Sequence, residues 1–188
     1  MKEYLDIVDE QGNPTGETVE RNYAHENGIR HRTAHLWLVR IKDGRLQLLL
    51  QKRAASKESY PGCWDISSAG HIPAGTFYEV SAVRELGEEL GISADEDELV
   101  YCGDRKISTD HVFSGRPFHD RQVSRVFFIW RDLDESAFNV QKEELECVRW
   151  IDFEECVERV ENNTFSHCIA LEELMMLKSK LSTFINNK

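Results

Sequence analysis

The alternation of apolar and polar positions predicts two β-hairpins in the first third of the chain. Tyr4–Val8 is typical of a strand and leads into the segment Gln11–Gly16, whose Gly, Asn and Pro residues suit a chain reversal. Farther along, Ala34–Ile41 and Leu46–Lys52 flank an Asp-Gly turn, which is a strong short-range hairpin signal. We therefore expect an N-terminal hairpin within residues 1–30 and a second hairpin after it.

The rest of the chain mixes helical and extended patterns. Thr76–Leu90 and a C-terminal segment at about residues 169–185 place apolar residues at helical spacing. Val123–Trp130 is apolar on both faces, as expected for a strand in the centre of a sheet. Glu146–Ile151 predicts another strand and Asp152–Val160 a short helix. The pattern favours a protein of the α/β (α+β) class.

The helix predicted at Thr76–Leu90 has signals at both ends. Thr76 followed by Glu79 is typical of a capping box, in which each side chain satisfies one free backbone N–H at a helix start. Gly91 follows the last periodic residue and can adopt the left-handed conformation that ends a helix.

Three carboxylates fall on one face of this helix. At about 100° per residue, Glu85, Glu88 and Glu89 lie opposite the apolar residues of the helix, which are Val80, Val83, Leu86 and Leu90. Like charges at these spacings destabilise an isolated helix by roughly 0.2–0.5 kcal/mol per pair, so we expect a compensating cation. Mg²⁺ and Mn²⁺ prefer such oxygen ligands. A solvated acidic surface is the alternative explanation.

Length, charge and cysteine content restrict the function classes. The chain has 188 residues and a mass of 21.8 kDa, which suits a single domain over residues 1–188. Its net charge of −11 disfavours bulk nucleic-acid binding. No apolar run approaches the roughly 20 residues that span a bilayer, and the 5 cysteines are scattered. We expect no membrane partner and a reducing, cytoplasmic location.

The segment that contains the carboxylate helix resembles a known motif. Gly70, followed by Arg84-Glu85-Leu86-Gly87-Glu88-Glu89-Leu90-Gly91-Ile92, is similar to the Nudix box, G-x5-E-x7-R-E-U-x-E-E-x-G-U with U an apolar residue, over residues 70–92. The fixed positions match except the first glutamate, where this chain has Thr76. The resemblance implies a Nudix-type α/β/α sandwich with a mixed β-sheet.

The resemblance also implies roles for individual residues. Glu85, Glu88 and Glu89 would be the ligands of Mg²⁺ or Mn²⁺, and Glu85 is in addition a candidate general base. Arg84 would orient the glutamates or contact phosphate. Thr76 replaces a glutamate that braces the loop-helix-loop in the family, and we expect its capping role to substitute for that brace.

Segments upstream of the box resemble the branch of the family that includes isopentenyl-diphosphate isomerases. By this resemblance Arg53 and Lys57 hold phosphate, and Gly70 and His71 contact the substrate. His31 and His71 are alternatively ligands of a second metal ion. Solvated surface charge and a structural role are the alternatives for the two cations and the histidines, respectively.

Two positions argue against isomerisation. The isomerases use a cysteine immediately before the Gly-His pair and a glutamate from a later strand, whereas this chain has Ala69 and Gln122. Neither side chain supplies an acid/base group. Many Nudix hydrolases take a further carboxylate from outside the box, and Glu144 is the preferred candidate here, with a polar loop before a strand as the alternative.

Together these features predict a Mg²⁺-dependent Nudix hydrolase that cleaves the diphosphate bond of a small organic diphosphate, such as a nucleoside diphosphate derivative. The alternatives are a Nudix protein that binds such a ligand without turnover and, less favoured, an isomerase. Retention of Glu85, Glu88 and Glu89 favours hydrolysis. The expected partner is the small-molecule diphosphate, and a homodimer is one option for assembly.

Overall fold

The computed structural model describes residues 2–186 and begins with a small hairpin. Strands β1 (Tyr4–Val8) and β2 (Pro14–Glu20) pair in antiparallel fashion, which confirms the predicted N-terminal hairpin. A short helix that the pattern did not predict, α1 (Arg21–Asn27), follows at once. It ends at Gly28, whose φ of 64° is the left-handed conformation that glycine adopts without steric cost.

The main sheet has seven strands within the described residues. In chain order they are β3 (His31–Lys42), β4 (Arg45–Arg53), β5 (Trp64–Asp65), β6 (Ser68–His71), β7 (Val100–Phe113), β8 (Arg116–Trp130) and β9 (Leu145–Asp152). The strand order is β5-β4-β3-β8-β7, with β6 also on β3 and β9 also on β4. Strands β3 and β8 are parallel and the other pairs are antiparallel, so the sheet is mixed as expected.

One edge of β3 is shared between two partners, and this arrangement opens the site. The C-terminal part of β3 pairs with β4 from Val39 onward, whereas its N-terminal part pairs with β6 from Thr33 to Leu36. Strands β4 and β6 therefore diverge from a common neighbour. Both faces of β6 remain accessible to side chains from the helices beside it.

Helices cover both faces of the sheet. Helix α2 (Tyr78–Leu90) packs on one face, and α3 (Phe153–Glu161) and α4 (Leu171–Asn186) pack on the other. Because side chains alternate along a strand, Leu36 joins the apolar layer under α2 while Trp37 joins the layer under α3 and α4. The predicted α/β/α sandwich is confirmed.

The predicted capping box at the start of α2 is wrong. The helix begins one residue later than that motif requires, with Phe77 as N-cap and no side-chain cap hydrogen bond. The Thr76 hydroxyl donates to the carbonyl of Pro73, and Glu79 lies 3.6 Å from Arg125. A turn before the helix thus occupies the hydroxyl. At the other end, Gly91 has a φ of 69° and donates to the Gly87 carbonyl, as expected.

The predicted division of α2 into an apolar and an acidic face is only partly correct. Tyr78, Ala82, Leu86 and Leu90 are buried, but Val80 is exposed. Conversely, Glu89 was predicted on the face opposite the apolar residues and is in fact 8% exposed. The side of α2 that carries Glu89 packs against β6, where the Ser68 hydroxyl is the polar partner of Glu89.

A long hairpin extends the sheet beyond the predicted strand Val123–Trp130. Strand β8 begins at Arg116, and its partner β7 has no apolar run that would reveal it. Most of β7 is exposed or half-buried because this hairpin reaches past the core. Among the described helices, none combines the length and the apolarity that crossing a membrane would require.

Candidate active site

Two carboxylates of α2 face strand β6. The hydroxyl of Ser68 donates to Glu89 at 2.7 Å, and a Cβ at Gly70 would lie 2.3 Å from the carboxyl carbon of Glu85. Any side chain at position 70 would displace the Glu85 carboxylate, so Gly70 is what lets Glu85 lie against the strand. Glu88, one turn from Glu85, remains 53% exposed.

Burial of these carboxylates makes their charge costly. Desolvation raises the pKa of Glu85 to about 7, because the opposing attraction of Arg84 compensates only partly and Glu88 adds repulsion. Desolvation also raises the pKa of Glu89 to about 8, against the hydrogen bond from Ser68 and together with the charge of Glu85. A bound cation would relieve both penalties.

Arg84 joins two of the three box glutamates. Its guanidinium lies 2.6 Å from Glu85 and 2.7 Å from Glu88. These two contacts fix the carboxylates of Glu85 and Glu88 relative to each other, while the Ser68 hydroxyl fixes the carboxylate of Glu89. Three carboxylates presented by one helix are a donor set that suits a hard divalent cation.

The predicted phosphate-binding cations lie across from α2 and already have protein partners. Arg53 donates to the Ser59 carbonyl at 3.0 Å and lies 3.3 Å from Asp65. Lys57 forms an ion pair with Glu144, so two residues that the sequence treated separately are neighbours. Arg53 therefore also holds the loop between β4 and β5, and Lys57 shares its charge with a candidate base.

A single cleft of about 1150 Å³ brings together the predicted site residues other than His31. Its lining includes Arg53, Lys57, Gly70, His71, Arg84, Glu85, Glu88, Glu89 and Glu144. The volume of the cleft is slightly above the range for small-molecule sites, which is roughly 300–1,000 Å³. It has room for a ligand larger than a bare diphosphate.

A second cluster, formed by three histidines, adjoins this cleft, which His25 and His71 line. Ligand atoms of His25, His31 and His71 all lie within 4.8 Å of one another, and the Nε2 atoms of His25 and His71 are 3.0 Å apart. Nδ1 of His31 lies 2.9 Å from the Ile29 carbonyl, and its buried Nε2 has no hydrogen-bond partner. An unpartnered buried nitrogen aimed at two other imidazoles fits a bound metal ion.

The electrostatics of the histidine cluster suit neutral ligands. Burial lowers the pKa of His25 to about 3 and that of His31 to about 4, and burial lowers the pKa of His71 well below its usual range. Asp120 lies 3.8 Å from His25, and desolvation raises its pKa to about 6. Neutral imidazole is the form that binds Zn²⁺ and other transition metals.

Comparison with known proteins identifies the family. A family model for the NUDIX domain matches residues 29–169, which is more than half of the 188-residue chain. The chain belongs to the Nudix family.

Named relatives of this Nudix chain include hydrolases and isomerases. It is 36% identical over 157 residues to Nudix hydrolase 3 of Arabidopsis thaliana, covering 82% of this chain but only 20% of that protein. An uncharacterised Nudix hydrolase of Clostridium acetobutylicum is 33% identical over 161 residues, covering 86% of this chain and 75% of the relative. Isopentenyl-diphosphate Delta-isomerase 2 of Photorhabdus laumondii is 34% identical over 132 residues, covering 62% and 68%.

A solved structure has the same fold. The crystal structure of DR0079 from Deinococcus radiodurans superposes with a TM-score of 0.67 at 20% identity, covering 92% of this chain and 98% of that one. At this identity the similarity concerns the fold alone. It supports the α/β/α arrangement on which the positions of the Nudix box glutamates depend.

The positions that distinguish the isomerases are unreactive in this Nudix chain. Ala69 packs at the edge of the apolar layer under α4, and Gln122 accepts a hydrogen bond from Thr33 at 3.2 Å. Ala69, at the first of these positions, has no group that could donate or accept a proton.

Several residues of the cleft were not predicted from the sequence. His25 lies on α1, a helix too short for its periodicity to be visible, and Asp120 lies on the unpredicted extension of β8. The spacing of Asp120 and Gln122 was the available signal, since residues two apart on a strand share a face. His35 and Glu173, which form a buried pair in the cleft, were likewise missed.

The first prediction concerns Gly70. Gly70→Ala should displace the Glu85 side chain, because the new methyl group would overlap it, and should weaken Mg²⁺ binding by about tenfold or more. Gly87→Ala on the same helix meets nothing closer than 3.8 Å and serves as the control. It should keep Mg²⁺ affinity and raise stability by roughly 0.5–1 kcal/mol. Calorimetric Mg²⁺ titration of both variants checks this, and equal affinities would refute it.

The second prediction concerns pH. In the unfolded chain Glu85 and Glu89 ionise near 4.5, whereas in the folded, metal-free protein they hold protons to about 7 and about 8. The folded state therefore binds more protons, so its stability should fall by about 1–3 kcal/mol as pH rises to about 8. His25 and His31 act in the opposite direction only below about 6.5.

Chemical denaturation in EDTA between about pH 6.5 and 8 measures this effect. The difference between wild type and Glu89→Gln isolates the carboxylate, because other titrating groups cancel in the comparison. Wild type should lose stability relative to the variant as pH rises. A difference that is constant with pH would contradict the assigned burial of Glu89.

Proposed function

We propose that this chain is a hydrolase that cleaves the diphosphate bond of a small organic diphosphate and requires Mg²⁺ or Mn²⁺. The observation that carries the proposal is the pair of buried, pKa-raised carboxylates, Glu85 and Glu89, packed against Gly70 and Ser68 in a large cleft. Buried carboxylates without a buried cation are costly, and a divalent ion between them and a diphosphate resolves that cost. Family membership and the names of its relatives agree with this chemistry.

Glu85, Glu88 and Glu89 would hold the divalent cation. When bound, it supplies charge neutralisation for the diphosphate and lowers the pKa of the attacking water. Arg84 keeps Glu85 and Glu88 in a fixed relative position through its two contacts. Enclosure of the carboxylates by α2 and β6 limits bulk water around the reacting bond, which strengthens each electrostatic interaction there.

The remaining charged residues of the cleft orient the substrate and move a proton. Arg53, at the end of β4, and Lys57, in the loop after it, line the same cleft as the box carboxylates and would contact phosphate oxygens. Two carboxylates are candidates for the general base. Glu85 has a pKa of about 7, which suits proton transfer near neutral pH. Glu144 is paired with Lys57 and would accept a proton once a substrate phosphate replaced it as the partner of Lys57.

The competing functions have less support. Isomerisation lacks an acid/base pair because Ala69 and Gln122 occupy the required positions, although isomerases are among the relatives. A protein that only binds its ligand has no need of three glutamates that destabilise the metal-free helix, and all three are present. The histidine cluster of His25, His31 and His71 would hold a second metal ion on the other side of β6.

We also propose that residues 1–188 form one domain. The N-terminal hairpin is bound to the rest, since Leu5 bridges to Pro73 and the Ala74 N–H donates to the Tyr4 carbonyl at 2.8 Å. Helix α4 contributes Leu177 to the main apolar layer. The 5 cysteines are free, which favours a reducing compartment such as the cytoplasm.

The third prediction tests the metal ligands. Glu89→Gln preserves shape and can still accept the Ser68 hydrogen bond, but it removes a charge that a hard cation requires. Its kcat on the best substrate of a diphosphate panel with Mg²⁺ should fall by about 10²-fold or more, while its melting temperature holds or rises. Glu79→Gln, on the same helix but outside the cleft, should keep full activity. Wild-type turnover by Glu89→Gln would refute the proposed role.

The fourth prediction concerns isomerisation. The protein should not interconvert isopentenyl and dimethylallyl diphosphate, because Ala69 cannot transfer a proton and Gln122 has no ionisable group. Proton NMR of either substrate with the Mg²⁺-loaded protein measures exchange. Isomer exchange at enzymatic rates would show that another pair of groups has taken over this chemistry.

A further inference from the structure

A buried ion pair lies in the cleft on the sheet face opposite α2. Nδ1 of His35, on β3, lies 2.9 Å from Oε2 of Glu173, on α4. Glu173 is 1% exposed and also accepts from Nε1 of Trp37 at 2.9 Å and from Nη1 of Arg105, on β7, at 3.2 Å. One carboxylate is thus held by donors from β3 and β7.

The two cationic partners of Glu173 each present a further donor to the cleft. His35 and Arg105 both line it, and their side chains are 13% and 16% exposed. Nδ1 of His35 is occupied by Glu173, and no described residue bonds its Nε2. Nε and Nη1 of Arg105 contact Glu172 and Glu173, which leaves Nη2 without a partner among the described residues. Two N–H groups on separate strands therefore face the same space.

This pair is next to the proposed catalytic carboxylates but on the other side of β6. His35 is paired across the strands with Ala69, and the following residue, Gly70, carries Glu85 on its opposite face. A diphosphate bound at Glu85 would extend its organic group past the β6 edge toward His35. The ion pair is therefore placed to contact the organic group, not the scissile bond.

The surroundings of His35 favour its protonated form. Burial lowers the pKa of His35, but the charge and hydrogen bond of Glu173, with a smaller contribution from Asp65, more than reverse this, so the pKa is raised overall despite Arg105. Burial acts to raise the pKa of Glu173, yet His35 and Arg105 lower it overall. Asp65 is itself paired with Arg53, His71 is neutral, and Asp120 also interacts electrostatically with His35. His35 and Arg105 thus share the buried carboxylate of Glu173, while the second partner of Arg105, Glu172, is 71% exposed.

We propose that His35 and Arg105 form an anion subsite that binds a phosphate or carboxylate oxygen on the organic group of the diphosphate substrate. Its assignment to the substrate rests on the proposed hydrolase function. Hydrogen bonds between charged donors and anionic oxygens are about twice as strong as neutral ones, and a purely apolar group would leave both donors unpaired. The subsite favours diphosphates with a second anionic group over isoprenoid diphosphates.

A structural role is the competing explanation, since the same hydrogen bonds fasten α4 to the sheet. That role requires only Nδ1 of His35 and Nη1 of Arg105, both of which point at Glu173. It gives no function to Nε2 of His35 or Nη2 of Arg105. An experiment that reads ligand binding at these atoms, independently of stability and turnover, separates the two roles.

Inorganic phosphate and sodium acetate are the probes, titrated separately in EDTA at about pH 7. Imidazole ¹⁵N NMR of the full chain follows Nε2 of His35, assigned with His35→Asn. Saturable shifts of this nitrogen with phosphate alone, or with both anions, support the subsite and identify the oxygen class. No shift with either anion would overturn it.

Variants locate the binding. Arg105→Gln keeps the pair between His35 and Glu173 and should weaken phosphate binding by about tenfold, as should His35→Asn, if the charged donors bind the anion. His119→Asn is the matched control, because His119 forms an exposed pair with Asp110 at 2.8 Å and does not line the cleft. It should keep wild-type affinity. Unchanged affinity in both Arg105→Gln and His35→Asn would refute the subsite.

One further variant distinguishes this proposal from the hydrolase proposal. Glu89→Gln, which should be inactive if the carboxylates hold the metal, should still bind phosphate at His35 with wild-type affinity. If Arg105→Gln and His35→Asn lose anion binding but still hydrolyse the diphosphate, the hydrolase function stands and the subsite is assigned. Full activity of Glu89→Gln would refute the hydrolase mechanism while the NMR result still decides the subsite.

Discussion

Burial of negative charge against a strand that contains a glycine is the constraint on which this site depends. Glu85 occupies the space that a side chain at position 70 would fill, and Glu89 takes its hydrogen bond from Ser68 two residues earlier on the same strand. Burial raises the pKa values of both carboxylates. Arg84 is at the outer edge and offsets only part of that cost. We propose that a divalent cation bound by these carboxylates makes the arrangement favourable.

The divided edge of β3 explains how one cleft reaches both faces of the sheet. Since β4 and β6 leave β3 at different points, side chains on the two faces of β6 open into a common space. The carboxylates of α2 lie on one face, and the histidine cluster and the pair of His35 and Glu173 lie on the other. The cleft can therefore hold a diphosphate and an organic group in different chemical surroundings.

Much of this architecture could be predicted from the sequence, because its strongest signals are local. The Asp-Gly hairpin, the C-terminal helix and the end of α2 at Gly91 each depend on a few neighbouring residues. The box glutamates were located for the same reason. Thr76 was misassigned because its hydroxyl donates to the turn carbonyl of Pro73, and the helix starts after Phe77 without a side-chain cap.

What could not be predicted depends on tertiary contacts. Glu89 is a charged residue at a position that periodicity assigns to solvent, and only the approach of β6 buries it. His25 joins His31 and His71 because α1 folds back on β8, which no local pattern reveals. Glu173 lies more than a hundred residues from His35 in sequence, and its burial among apolar residues of α4 contradicts its polarity. Sites assembled from distant segments leave little trace in any one of them.

The central claim is that buried, partly protonated carboxylates form a divalent-cation site, and proton release on metal binding tests it most directly. Calorimetric Mn²⁺ titrations at one pH in buffers of different ionisation enthalpy give the number of protons displaced per ion. With Glu85 and Glu89 at pKa values of about 7 and about 8, roughly one proton should be released near pH 7 and almost none near pH 9. Binding without proton release near pH 7, or no binding at all, would contradict the account.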